Sequence, residues 1–284
     1  MAEQQTIKTE LHYESHGDGD PVLCLHGLGA CLYTWRNLIE PLSQSHKLIL
    51  VDLKGCGESP KPRDGRYSVQ DQAELVYRFI QHHDLKNLTL IGTSYGGAVS
   101  LMVATMLCET DPGRLSKLIL IDSAGYDESL PWHLKLLKTP VVGWLSIHLP
   151  PGKASTRRVL RYVYYNRRLI TKEQIETYSK PIRLPGARQA LLETARQAVP
   201  KNIDELTPKY NDICVPTLIV WGEEDKVIPL KIGKMLAEAI PDSKLVVLPK
   251  VGHAPHEEAP EKTIPLILEF LGDSSSPTRS PSSL

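Results

Sequence analysis

The chain has 284 residues, 41% of them hydrophobic and 23% charged, with 33 Lys+Arg balanced against 33 Asp+Glu. A neutral chain is not steered toward nucleic acid or an anionic membrane surface, so neither is expected as a main partner. The length suits one large α/β domain, or a core with a small second lobe.

The first eight residues hold no apolar leader. The longest nearly uninterrupted apolar stretch, 98–107, is about half of the ~20 residues that a membrane span needs. The five cysteines (Cys24, Cys31, Cys56, Cys108, Cys214) are odd in number and irregular in spacing. Cys24, Cys108 and Cys214 sit in apolar runs, as small core thiols do. Together these features predict a cytoplasmic protein without a disulfide framework.

Segment 8–14 alternates in polarity and is followed by Gly17-Asp18-Gly19-Asp20, which predicts an antiparallel edge hairpin into the strand 22–25. Runs 22–25, 48–51, 88–91 and 118–121 are short and apolar on both faces, as strands buried in a parallel sheet are. Helices are predicted between them over 68–82, opening at a Ser68 cap, and over 95–108. The alternation resumes with strands at 217–221 and 244–248 and helices at 232–239 and 261–271. Such repeated units predict a doubly wound, mostly parallel sheet. Between residues 126 and 206 the rhythm breaks, prolines cluster and helical patterns dominate. This predicts an all-helical cap (126–206) inserted between the sixth and seventh core strands. It divides the core into 1–125 and 207–272. The serine-rich tail, 273–284, has no face to bury and is expected to be disordered.

The chemistry centres on Gly92-Thr93-Ser94-Tyr95-Gly96, directly after an apolar strand. A sharp strand-to-helix turn lifts a serine hydroxyl clear of the fold, and flanking glycines let backbones pass. An activated serine needs a base and an anion to orient that base. Asp225, after the strand 217–221, and His253, after the strand at 244–248, supply candidates, all beyond C-terminal strand ends, where open α/β sheets assemble their sites. Glu223, Glu224 and Asp122 are alternative carboxylates. Two backbone N–H groups are predicted to receive an oxyanion: Tyr95, at the start of the elbow helix, and Leu28, in His26-Gly27-Leu28-Gly29.

These motifs, with Asp52-Leu53-Lys54-Gly55-Cys56-Gly57-Glu58-Ser59 and Gly252-His253, resemble the α/β-hydrolase family over residues 8–272. The resemblance implies an eight-stranded sheet, Ser94 as nucleophile, His253 as general base and acid, and Asp225 as its orienting carboxylate. It also implies a cofactor-free serine esterase with a small-molecule ester substrate. C–C bond hydrolases of vinylogous diketones, lactonases and amidases share the machinery, and some relatives are ligand receptors. The C–C hydrolases usually carry a tryptophan soon after the histidine, where this chain has Ala254-Pro255. Gly27, Trp132, Leu136, Trp144, Val227 and Ala254 are the residues expected around the substrate. His253 and His256 do not form a metal motif: Pro255 separates them and no His-Glu-x-x-His order exists. The loop 54–59 lacks a phosphate-binding pattern and reads as a turn after the fourth strand. The basic run 157–168 reads as a solvated helix face, or as a docking patch for an acidic carrier protein.

Overall fold

The computed structural model describes residues 11–127 and 152–272. Seven strands are present among these residues: β1 (Tyr13–His16), β2 (Asp20–Leu25), β3 (His46–Val51), β4 (Leu88–Thr93), β5 (Leu115–Ile121), β6 (Thr217–Gly222) and β7 (Ser243–Leu248). They form one sheet in the order β1-β3-β2-β4-β5-β6-β7, parallel except for β1. The doubly wound α/β class is as predicted; the count differs, with seven strands described where eight were expected. The expected hairpin does not form either. β1 pairs antiparallel with β3, Tyr13 opposite Val51, because β3 takes the place beside β2 and leaves β1 at the sheet edge.

The strands are apolar throughout because each sheet face has its own core. Leu23, Leu25, Leu90, Leu118, Leu120, Ile219 and Trp221 point into one hydrophobic cluster. Their neighbours Val22, Cys24, Ile91, Ile119, Ile121, Leu218 and Val220 point into another. The first cluster is closed by α2 (Val69–His82), α3 (Tyr95–Thr110) and α8 (Leu230–Ala239); the second by α1 (Arg36–Leu42) and α10 (Pro260–Leu271). Ser68 caps α2 in a reciprocal box: its hydroxyl accepts the Asp71 N–H, and the Asp71 carboxylate accepts the Ser68 N–H, each at 3.1 Å.

Between β5 and β6 run the helices α4 (Lys153–Val163), α5 (Lys172–Ser179), α6 (Ala187–Gln197) and α7 (Ile203–Leu206). They follow the fifth strand, one strand earlier than the sequence suggested, and the loop 54–59 follows the third. Leu160, Tyr164 and Ile175 form a small cluster that packs on Ala254. The short helix α9 (Pro255–Glu258) leads from there into α10.

Cys108, near the end of α3, is disulfide-bonded to Cys214, just before β6, with Cα atoms 5.8 Å apart. Both were expected as free core thiols. A separation of 106 residues hides the pairing from sequence spacing. Cys31 and Cys56 are free, and burial pushes both thiols up to about 12, so neither is a ready nucleophile. No helix among the described residues is long and apolar enough to cross a membrane. Trp132, Leu136 and Trp144 lie outside the described residues, as does the tail.

Candidate active site

Register aligns the strand ends that matter. Leu25 lies opposite Gly92, Ile121 opposite Val220, and Gly222 opposite Leu248. The loops after β2, β4, β6 and β7 therefore emerge along one edge of the sheet.

Ser94 is the N-cap of α3 and adopts φ 54°, ψ −121°, in the region that L-residues with a Cβ avoid. The turn is possible because its neighbours lack side chains. A Cβ on Gly92 would meet the Ser100 hydroxyl and the Gly96 carbonyl, and one on Gly96 would meet the Leu25 and His26 carbonyls. A Cβ on Gly27 would stand 3.1 Å from the Ser94 Cβ, so the loop after β2 lies against the elbow.

His253 Nε2 is 2.9 Å from Ser94 Oγ, and His253 Nδ1 is 2.7 Å from Asp225 Oδ2. A carboxylate only accepts, so Nδ1 carries the proton; Nε2 is then free to accept from the serine hydroxyl. The Asp225 side chain is fully buried. Its other oxygen, Oδ1, accepts the N–H groups of Val227 at 2.7 Å and Ile228 at 3.0 Å, which fixes the carboxylate plane. Glu223 is exposed and Glu224 half-buried on the same loop, and no bond joins either to the histidine. Tyr95 is the first residue of α3, so its N–H has no partner inside the helix. Leu28 sits in the loop beside it, and among the described residues its N–H is not engaged by another group. That loop is braced by His26: Nδ1–H donates to the Gly27 carbonyl at 2.8 Å, and Nε2 accepts the Leu53 N–H at 3.1 Å. Burial lowers the His26 pKa, keeping the ring neutral for this double role.

A cavity of about 440 Å3 reaches Ser94, and Leu28, Tyr95, Ala124, Val227 and Ile228 are among the residues that line it. Of the residues expected at the substrate, Val227 lines it. Ala254 is instead buried against Leu160 and Tyr164, and Gly27 packs behind Ser94.

A family model for the alpha/beta hydrolase fold matches residues 20–260. The chain belongs to the alpha/beta hydrolase family. This hydrolase is 31% identical over 268 residues to an uncharacterised hydrolase, YugF, of Bacillus subtilis, with 92% of each chain covered. It is 29% identical over 271 residues to the 2-hydroxy-6-oxo-2,4-heptadienoate hydrolase of Pseudomonas putida, with 93% of each covered. A malate-bound thermophilic esterase from Thermogutta terrifontis superposes with a TM-score of 0.76 at 26% identity, over 92% of this chain and 93% of that one.

Asp122, at the end of β5, stands behind the hydrolase's histidine–aspartate pair. Ligand atoms of Asp122, Asp225 and His253 lie within 4.8 Å of one another. The cluster is a poor cation site, because only Asp122 Oδ2 among these atoms is without a partner. His253 Nδ1 is bonded to Asp225, and Asp122 Oδ1 accepts the Gly222 N–H at 2.9 Å.

Two residues that sequence reasoning passed over, Glu257 and Glu258, hold the histidine loop. Glu258 accepts the N–H groups of Gly252 at 2.8 Å, Tyr165 at 3.1 Å and Asn166 at 2.5 Å. Glu257 accepts from Thr34 and Tyr178 at 2.8 Å each, from Arg36 at 2.5 Å and from Tyr164 at 3.1 Å. Beside them His256 is buried, and burial lowers its pKa to about 4. Its Nε2–H donates to the Thr34 hydroxyl, whose own proton goes to Glu257. The only sequence signal for Glu257 and Glu258 was their place four and five residues after the candidate base. Arg157, Arg158, Arg161 and Arg167 of the basic run border a recess on the outer face of α4, all four exposed.

Proposed function

We propose that this hydrolase cleaves carboxylic esters by acyl transfer to Ser94 and then to water. The observation that carries the reading is the hydrogen-bonded series Ser94–His253–Asp225, at 2.9 and 2.7 Å, beside two unengaged N–H groups. Ser94 Oγ attacks the carbonyl carbon as its proton passes to His253 Nε2. The carbonyl electron pair moves to oxygen, which the Leu28 and Tyr95 N–H groups receive. Removing one such donor costs about 3 kcal/mol in comparable sites. The intermediate collapses, and the alcohol leaves with the proton from His253. Water then attacks the acyl-serine, giving its proton to His253, and the carboxylic acid departs as Ser94 regains its hydrogen. Asp225 holds the ring and stabilises its charged form throughout.

The similarity to the heptadienoate hydrolase supports C–C cleavage as the second reading. Its named substrate carries a carboxylate, however, and the described cavity lining offers one cationic side chain, Lys209, which is exposed. Lactones and amides would follow the same steps. The exposed arginines of α4 would suit an acidic carrier as donor of the ester, a secondary feature of this reading.

The test is hydrolysis of p-nitrophenyl esters by the wild type beside Ser94→Ala. We expect activity that falls by a factor on the order of 10³ or more in the variant. Turnover of the heptadienoate with none of any ester would overturn the ester reading, and full activity in Ser94→Ala would overturn the mechanism.

A further inference from the structure

The cavity at Ser94 has a direction. Its bank on α3 is Ala98, Met102, Thr105, Met106 and Glu109, a spacing of i, i+4, i+7, i+8 and i+11 that makes one stripe of a helix. These side chains are half-buried or, at Glu109, exposed. On the other side of the same helix Val99, Val103, Ala104 and Leu107 are buried in the core. With 16 residues, α3 is about 24 Å long, Ser94 standing at one end and Glu109 near the other. The opposite banks come from Val69 of α2 and from Ile203, Leu206 and Tyr210. Gln70 Nε2 donates to Asn202 Oδ1 at 3.1 Å and ties those banks together. Three charged side chains line the slot: Glu109 and Lys209, both exposed, and Glu74, which is half-buried and paired with Arg66 and Arg78.

The placement of the site residues says which half of an ester the slot would take. Ser94, Tyr95 and Leu28 line it; His253 is not among its described lining residues. In the reaction proposed above the leaving alcohol must end beside His253 Nε2, which protonates it. The acyl group then extends to the other side of Ser94, where the slot begins. A slot lined mainly by apolar side chains rewards an aliphatic chain laid along it, since each methylene removed from water contributes a similar increment.

We propose that this slot is an acyl-chain channel, and that the substrate class is esters of medium to long unbranched aliphatic acids threaded along α3 from Ser94 toward Glu109. The proposal rests on the ester reading above. A zigzag of C–C bonds about 1.5 Å long advances about 1.25 Å per carbon, so a blockade one turn along α3, at Ala98, stands about 5 carbons from the nucleophile. One three turns along, at Met106, stands about 14 carbons away.

The experiment is the chain-length profile of p-nitrophenyl esters from acetate to palmitate, for the wild type, Ala98→Trp and Met106→Trp. Wild-type kcat/KM should climb by about fourfold per methylene, the equivalent of about 0.8 kcal/mol. Ala98→Trp should break the climb at about 5 carbons and Met106→Trp at about 14. A flat wild-type profile, or an equal loss at every length in both variants, overturns the channel while leaving ester hydrolysis in place. A second readout needs no turnover: palmitate should raise the melting temperature of Ser94→Ala, and adding Met106→Trp should erase that rise. If no ester is turned over and palmitate still behaves this way, the channel stands and the ester reading falls. If palmitate leaves the melting temperature unchanged and no profile exists, both fall.

Discussion

Two carboxyl groups meet behind His253, and a buried pair of like charges is expensive. Asp122 is fully buried at φ 42°, with Oδ2 unpartnered, within 4.8 Å of the Asp225 and His253 ligand atoms. Burial first, and then the charge of Asp225, raise its pKa well above the ordinary carboxylate value. The proton therefore stays on Asp122, whose neutral acid stands beside the carboxylate that orients the histidine. In the unfolded chain the same group ionises near pH ~3.9. Above that pH the native state holds a proton that the unfolded state has released, so stability declines as pH rises toward the folded pKa. Asp122→Asn, a neutral isostere, should raise the melting temperature at pH 7 and flatten its decline above pH ~4, with kcat/KM altered by less than about tenfold. A variant less stable than the wild type at pH 7 would mean that the anion is the form the fold requires. Ser94 shows the opposite degree of legibility. Its flanking glycines and preceding strand announced the strained turn, whereas nothing around Asp122 announced that its partner is another acid 103 residues away.

At the scale of elements, the histidine is held by a loop that the core alone does not fix. The His253 N–H donates to the Val163 carbonyl at 2.8 Å, and Glu258 gathers three further N–H groups from both sides of that junction. The end of α4 and the loop after β7 are thus one unit. Glu258→Ala would leave three donors without their acceptor, at a cost of about 1–3 kcal/mol for a buried unsatisfied group. We expect melting temperature and kcat to fall together, KM to move less, and Glu258→Gln to restore part of both through its remaining carbonyl oxygen. An alanine variant with wild-type kcat would show that β7 positions His253 unaided. The strands and the helices α2, α3, α8 and α10 were readable because each carries its own periodicity and Ser68 its own cap. The partner of β1 and the grip of α4 on the histidine loop were not. Both are set by contacts between segments distant in sequence, and local pattern is silent on those.

For the whole molecule, the sequence order of Ser94, Asp225 and His253 predicted one edge of one sheet, and parallel register delivers it, since strands in register end together. What linear order could not show is how the chain is closed. The Cys108–Cys214 bond joins the end of the elbow helix to the entry of β6, across 106 residues that include the helices α4 to α7. Cross-linking so long a loop removes unfolded-state entropy equivalent to about 4–5 kcal/mol in the chain-entropy account, and native strain subtracts from that. The bridge is also within reach of reductant, because Cys214 is exposed and Cys108 half-buried. Dithiothreitol should therefore lower the melting temperature of the wild type by several degrees. Cys214→Ala should start at the lower value and not respond. Thiol counting under denaturing conditions should find three reactive cysteines before reduction, matching the free Cys24, Cys31 and Cys56, and five after it. Five reactive thiols before reduction would mean that the two sulfurs are neighbours only. In that case α3, and the channel along it, would keep its place by packing alone.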